Sequence, residues 1–154
     1  MCRRSELVSI RVNDIKFEYQ NNKIVDIRVK LSKSKTDQEG IGRWLQIGEE
    51  SKKAIIHWLE KSQIEDGCLF RAINKGGRIS NELRSSQVNK LFKKIAKRLE
   101  LPDEHIKMIS GHSMRVGAAQ DLLLSGASLP MMMSKGRWSK PDTVMRYVEN
   151  INSH

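Results

Sequence analysis

Residues 110–150 read "SGHSMRVGAAQDLLLSGASLPMMMSKGRWSKPDTVMRYVEN". His112 and Arg115 stand three residues apart, Trp138 follows, and Tyr147 comes nine residues after Trp138. The Gly and Pro breakers predict three helices: Ser113 to Ser125 closing at Gly126, a short one from Pro130 to Lys135, and one from Asp142 to Val148 after Pro141. Positions three apart on a helix share a face, so His112 and Arg115 can present an imidazole and a guanidinium to one ligand. That pair suits a phosphate. Arginine offers a rigid fork of donors that matches two phosphate oxygens, and histidine offers a donor that can also move a proton near neutral pH. A helix start adds free amides and partial positive charge. Taken alone, His-x-x-Arg is a short motif that chance produces often, and its ordinary meaning is a capped, solvated helix. Met131, Met132 and Met133 read as core filling, and Tyr147, without further context, as a core tyrosine with a satisfied hydroxyl.

The chain around this stretch has 154 residues, the length of one domain of ordinary size. Lys and Arg total 28 against 18 Asp and Glu, a formal charge of +10 that favours a polyanionic partner, nucleic acid or an anionic membrane surface. No apolar run approaches the roughly 20 residues of a membrane span, and "MCRRSEL" at the N-terminus has no signal-peptide core. A soluble, cytoplasmic protein is expected. Cys2 and Cys68 lie far apart without metal-ligand spacing and read as reduced thiols.

Upstream of the stretch, Val25, Ile27, Val29 and Leu31 alternate with Asp26, Arg28 and Lys30, the two-residue period of a half-buried strand. An earlier strand over Ile15 to Tyr19 pairs with it across the polar "QNNK" turn, "SKSKTDQEG" makes a charged hairpin loop, and "RWLQI" returns as a third strand. A small antiparallel sheet results. Arg3 to Ile10 reads as the end of a helix. Glu49 to Lys61 reads as a helix with Ala54, Ile55, Trp58 and Leu59 on one face. The clearest helix runs from Ser86 to Leu99, with Val88, Leu91, Phe92, Ile95, Ala96 and Leu99 at helical spacing. Between Leu83 and Leu99 six cations, Arg84, Lys90, Lys93, Lys94, Lys97 and Arg98, stand without an acid. By itself such a run means a solvated face, a reading that the charge of the whole chain weakens.

The order of these residues resembles the tyrosine recombinase (phage integrase) family, in particular its Cre-like branch, along nearly the entire chain. "RRSELVSIRVNDI" looks like the family's first arginine motif, with Arg3 at the catalytic position and Glu6 as the supporting acid. "KSKT" is similar to the catalytic lysine turn and gives that role to Lys35. "GHSMRVGAAQDLLLSGASLPMMMSKGRW" looks like the central box, with His112 and Arg115 as its His-x-x-Arg and Trp138 where many relatives carry a second histidine. Tyr147 stands where the family has its nucleophile. The resemblance implies an α+β fold, a mostly helical catalytic domain with a small three-stranded antiparallel sheet, spanning residues 1–154.

It also implies a reaction: DNA cleavage and rejoining through a 3′-phosphotyrosine, the chemistry of DNA recombination and integration by mobile elements. Phosphodiester transfer needs its developing negative charge neutralised by metal ions or by fixed cations. The sequence offers no carboxylate cluster with metal spacing, and no cofactor is called for. Arg3, Lys35, His112, Arg115 and the Trp138 indole would form a cage of donors, with Arg3 and Arg115 on the non-bridging oxygens. Tyr147 would attack phosphorus, Lys35 would protonate the departing 5′ oxygen, and His112 would accept or relay the phenolic proton. In Cre-like proteins the helix corresponding to the basic one approaches the DNA major groove, which makes Ser86, Gln87, Asn89 and Lys90 candidates for base or phosphate contact and Lys93, Lys94 and Lys97 for phosphate.

Some alternatives stay open. Arg4 rivals Arg3, and Lys33 lies on the same strand face as Lys35. Trp138 can be core and donor together. Full-length relatives carry an N-terminal core-binding domain, and few residues here follow Tyr147. The chain therefore reads as a catalytic domain alone or a shortened remnant. It is expected to be a monomer off DNA rather than the family's tetramer of subunits, and to bind double-stranded DNA weakly, with strong salt dependence and little sequence preference. The competing functions are a catalytically silent DNA-binding protein and a type IB topoisomerase-like relaxing activity.

Overall fold

The computed structural model describes residues 2–31 and 42–149 of the chain. They divide into two compact units: residues 4–85, and residues 86–149 together with residues 2 and 3.

The first unit opens with α1 (Arg4–Ser9) and one 3₁₀ turn (Val12–Asp14), followed by β1 (Ile15–Gln20), β2 (Lys23–Leu31) and β3 (Arg43–Gln46) in an antiparallel sheet of order β1-β2-β3. Gln20 pairs with Lys23, and the two residues between them, Asn21 and Asn22, have φ of 50° and 58°. Positive φ at both central positions gives a tight hairpin turn the right-handed twist of its strands, and asparagine tolerates that region better than most residues. The alternation expected of β2 holds over its second half, where Ile27, Val29 and Leu31 are buried and Arg28 between them is exposed, but not at Val25, which is exposed. The strand face so buried forms the core of this unit with Ile10, Ile64, Leu69 and Leu83. The expected hairpin loop falls outside the described residues.

The helix α2 (Glu49–Ser62) is clipped to the sheet by polar groups. Lys52 is buried, donates to the Val25 carbonyl at 3.1 Å, and sits between the carboxylates of Asp26, at 3.8 Å, and Glu49. A buried ammonium is tolerable only with such partners. Further along, the Trp58 indole donates to the Leu69 carbonyl at 2.7 Å, and Arg11 pairs with Cys68 in an isolated antiparallel bridge.

The second unit holds α3 (Ser85–Arg98), α4 (Asp103–Met108), α5 (Gly111–Leu124), α6 (Leu129–Gly136) and α7 (Pro141–Val148). Four of the five match helices expected from the sequence, α3 by its apolar period and α5, α6 and α7 by the Gly and Pro residues near their ends. The fifth, α4, was not expected: it is six residues long and buries only Ile106, so no apolar period announces it. Its signals are local, Pro102 at the N-cap and Asp103 and Glu104 in the first turn, where acids meet the positive end of the helix dipole.

The helices α5, α6 and α7 pack on one another around Ala119, Met132, Trp138 and Val144. Of the methionine triplet, Met132 is buried and Met133 packs against this cluster, whereas Met131 is exposed. In α3 the apolar stripe expected to be buried is so only in part. Val88 and Ala96 are covered, but Leu91, Ile95 and Leu99 are 46%, 52% and 67% exposed.

Candidate active site

The start of α5 is fixed by a capping box. The Ser110 hydroxyl accepts from the Ser113 amide at 3.3 Å, and the Ser113 hydroxyl accepts from the Ser110 amide at 2.6 Å. One of the amides that a helix start leaves without partners is thereby satisfied, together with that of the cap itself. Another is satisfied from across the unit: the Gly111 amide donates to the Asn89 side-chain oxygen at 2.9 Å. The helix therefore begins two residues before the expected Ser113, which belongs to its first turn. His112 lies in that turn, exposed, and Arg115 lies one turn on, half-buried.

Tyr147, near the end of α7, is the meeting point. Its ring meets His112 edge-on with centroids 5.4 Å apart, and meets Trp138 in a second edge contact at 5.8 Å. Arg115 completes the group, its guanidinium carbon 5.1 Å from the centre of the Trp138 ring and its Nη2 donating to the Gly136 carbonyl at 2.8 Å. Aromatic edges carry partial positive charge and faces negative charge, so edge contacts between rings and a cation over an indole face are all attractive. Residues scattered over 36 positions of sequence thus occupy one locus with a guanidinium, an imidazole, an indole and a phenol.

Gly136 was not singled out by sequence reasoning, yet it shapes the locus twice. Its carbonyl orients Arg115, and the space a side chain would fill is taken by the Trp138 ring: a Cβ on Gly136 would fall among ring carbons. The following residue, Arg137, has φ of 54° and ends α6 in the left-handed region, which swings the chain so that Trp138 turns back under the helix.

Of the remaining expected site residues, Arg3 is exposed, directly precedes α1, and belongs to the same unit as the four side chains above. Glu6 is buried within α1 in the other unit. Lys35 and its rival Lys33 lie outside the described residues. On α3, Ser86, Lys90, Lys94 and Lys97 are exposed and Gln87 is half-buried. Two of the expected DNA contacts have protein partners: Asn89 with the Gly111 amide, and Lys93, whose ammonium donates to the Lys107 carbonyl at 3.0 Å. Among the described residues no group of three or more His, Cys, Asp or Glu is placed to hold a metal ion, and no helix is long and apolar enough to cross a membrane.

Comparison with known proteins agrees with the resemblance in the motifs. The model of the Phage integrase family matches residues 1–154. The chain belongs to the phage integrase family. It is 26% identical over 164 residues to the Recombinase cre of Escherichia phage P1, covering 99% of this chain and 47% of that protein. It is 31% identical over 157 residues to the Integrase/recombinase xerD homolog of Selenomonas ruminantium, covering 97% and 44%. The chain spans about half the length of the curated relatives it matches. The crystal structure of XerA recombinase superposes with a TM-score of 0.71 at 16% identity over 98% of this chain and 49% of that one. That likeness establishes the integrase fold, the helical body and three-stranded sheet expected from the sequence.

Proposed function

We propose that this phage integrase chain is the catalytic domain of a site-specific DNA recombinase that cleaves and rejoins strands through a 3′-phosphotyrosine. The observation that carries the proposal is Tyr147 packed edge-on against both His112 and Trp138, with Arg115 over the Trp138 face. The phenol ring thus stands beside a solvent-exposed imidazole, a group able to move a proton near neutral pH. The names of its relatives, a recombinase and an integrase/recombinase, agree with this chemistry.

In this reading a DNA phosphate lies against Arg115 and Arg3, whose guanidinium donors take its non-bridging oxygens and stabilise the charge that builds on them in the transition state. The Tyr147 oxygen attacks phosphorus as His112 accepts or relays its proton. The bond to the 5′ oxygen breaks, and Lys35 supplies the proton that makes it a hydroxyl. The new phosphotyrosyl ester keeps the energy of the broken linkage, so attack by a 5′-hydroxyl of the same or another strand reverses the step and frees Tyr147. The Trp138 indole adds an N–H donor to the cage. Double-stranded DNA is the partner, drawn by the net charge of +10 and the exposed cations of α3; the strand exchange itself would engage further recombinase subunits on that DNA.

The test is incubation with a nicked suicide duplex, from which the cleaved end diffuses away and traps the protein on DNA. A covalent protein–DNA band is expected from the wild type and none from Tyr147→Phe. A band that persists in the variant removes Tyr147 from the role. No band from the wild type, with binding to DNA retained, leaves a silent DNA-binding protein. Relaxation of supercoiled plasmid without site preference would indicate a topoisomerase-like activity.

A further inference from the structure

Tyr147 is held at a second point. The side-chain amide of Gln120, on α5, donates through Nε2 to the backbone carbonyl of Tyr147 at 3.0 Å. Gln120 lies eight residues after His112, two turns further along the same helix, about 12 Å at 1.5 Å per residue. One face of α5 therefore reaches the same residue twice, at the ring through His112 and at the main chain through Gln120.

We infer that Gln120 is a positioning residue for the nucleophile, an inference that rests on the recombinase reading of Tyr147. The last four carbonyls of a helix have no partner within it, and that of Tyr147, in the final turn of α7, is among them. A helix of eight residues is marginal by itself and takes its order from its neighbours. Gln120 satisfies the orphan carbonyl and pins the main chain of Tyr147 to the helix that carries His112 and Arg115. With the main chain fixed by Gln120 and the ring bounded by His112 and Trp138, the phenolic oxygen keeps one place relative to the guanidinium that would hold the phosphate. Attack at phosphorus in line with the leaving oxygen tolerates little displacement, and misplacements on the order of 1 Å cost up to about a hundredfold in rate. Gln120 has none of the chemistry of the cage and touches no reacting atom. Its contribution is to the location of one that does.

Three variants separate the roles of shape and of donor. Gln120→Leu keeps the bulk and loses the donor, Gln120→Glu puts an acceptor against the carbonyl, and Gln120→Lys restores a donor of sufficient reach. Single-turnover cleavage of the suicide duplex is expected to fall about tenfold in the Leu and Glu variants and to recover to within about threefold of wild type in the Lys variant, the loss of one hydrogen bond to a partly buried group. DNA affinity by gel shift stays within about twofold throughout, since Gln120 faces α7. A second readout needs no DNA. The chain has two tyrosines, Tyr19 and Tyr147, so tyrosine labelled with ¹³C in the ring gives two sets of resonances, assigned by Tyr147→Phe. The Tyr147 set, displaced by the neighbouring His112 and Trp138 rings, moves toward free tyrosine in the Leu and Glu variants and returns in Lys; Tyr19 does not move. Wild-type cleavage and an unshifted Tyr147 spectrum in the Leu and Glu variants would overturn the inference, as would losses that Lys fails to repair. If the wild type forms no covalent band while the Tyr147 resonances respond as described, the anchoring stands and the recombinase reading falls.

Discussion

Arg115 and Trp138 are bound to each other by geometry that neither would hold alone: the guanidinium carbon lies 5.1 Å from the indole centre, and the ring is buried beneath it. Arginine is weakly hydrated for a cation, so an aromatic face satisfies one side of it while its N–H donors lie in the guanidinium plane, one of them on the Gly136 carbonyl. A lysine would place a strongly hydrated point charge there without the planar fork.

Substitution of Trp138 separates packing from donation. Trp138→Ala removes the centre of the α5–α6–α7 core and is expected to cost about 3–5 kcal/mol in urea unfolding. Trp138→Phe keeps an aromatic face for Arg115 and an edge partner for Tyr147, and is expected to cost no more than about 1.5 kcal/mol. The Phe variant has no indole N–H. Adduct formation that falls in Trp138→Phe while the unfolding midpoint barely moves would mark the N–H as a donor to the phosphate; unchanged adduct formation would leave Trp138 a packing residue.

Two glycines of this unit are predicted to answer the same substitution with opposite signs. Gly136→Ala places a methyl among the Trp138 ring carbons, and either the ring or the end of α6 must give way. Overpacking of that kind costs about 1–3 kcal/mol, and the movement also carries the carbonyl that orients Arg115, so adduct yield falls with stability. Gly117, inside α5, would carry its methyl into open space, with no atom beyond its own helix within 4 Å of the Cβ. There alanine only reduces the freedom of the unfolded chain, and Gly117→Ala is expected to stabilise by about 0.5–1 kcal/mol. Chemical denaturation of both variants checks the pair.

The elements of the fold were legible where side-chain type and spacing carry them: the alternation in the second half of β2, the asparagine turn before it, the periods of α2 and α3, and the Gly and Pro breakers around α5, α6 and α7. What spacing could not convey is which neighbour covers a face. Leu91, Ile95 and Leu99 share a stripe with Val88, yet only Val88 is buried. The locus around Tyr147 was legible because its side chains are chemically distinctive and their order follows a family pattern. Gly136 and Gln120 were not, because each acts on or through a backbone carbonyl remote in sequence, and backbone groups are the same at every position. The early start of α5 was missed for a related reason: Ser110 and Ser113 are both good caps, and only the structure distinguishes the cap from the third residue of the turn.

That capping box carries a prediction of its own. Ser110→Ala removes the acceptor for the Ser113 amide at the turn that holds His112. Loss of such a cap costs about 1 kcal/mol. Asn89→Ala, which releases the Gly111 amide, is expected to cost a further amount of the same order, about 1 kcal/mol. The two variants act on neighbouring amides of one helix start, so their effects in urea unfolding are not expected to add. Additive losses would mean that the two contacts hold α5 independently.

The cations of α3 differ in what they are free to do, and salt can read the difference. Lys90, Lys94 and Lys97 are exposed, whereas the ammonium of Lys93 is engaged with the Lys107 carbonyl 14 residues away. Each phosphate contact releases condensed counterions from the duplex, so the slope of log affinity against log salt falls by about 0.9 for every contact removed. If Lys90, Lys94 and Lys97 all lie on phosphates, their joint replacement by alanine lowers the slope by about 2.7. Lys93→Ala leaves the slope nearly unchanged and instead loosens α4 from α3, which shows as a small loss of stability. Gel shifts on a random-sequence duplex between about 50 and about 200 mM salt, the range over which such contacts dominate affinity, distinguish the cases. A slope unaltered by the triple replacement would return these lysines to an ordinary solvated helix face, and the +10 charge of the chain would have to act on DNA through another surface.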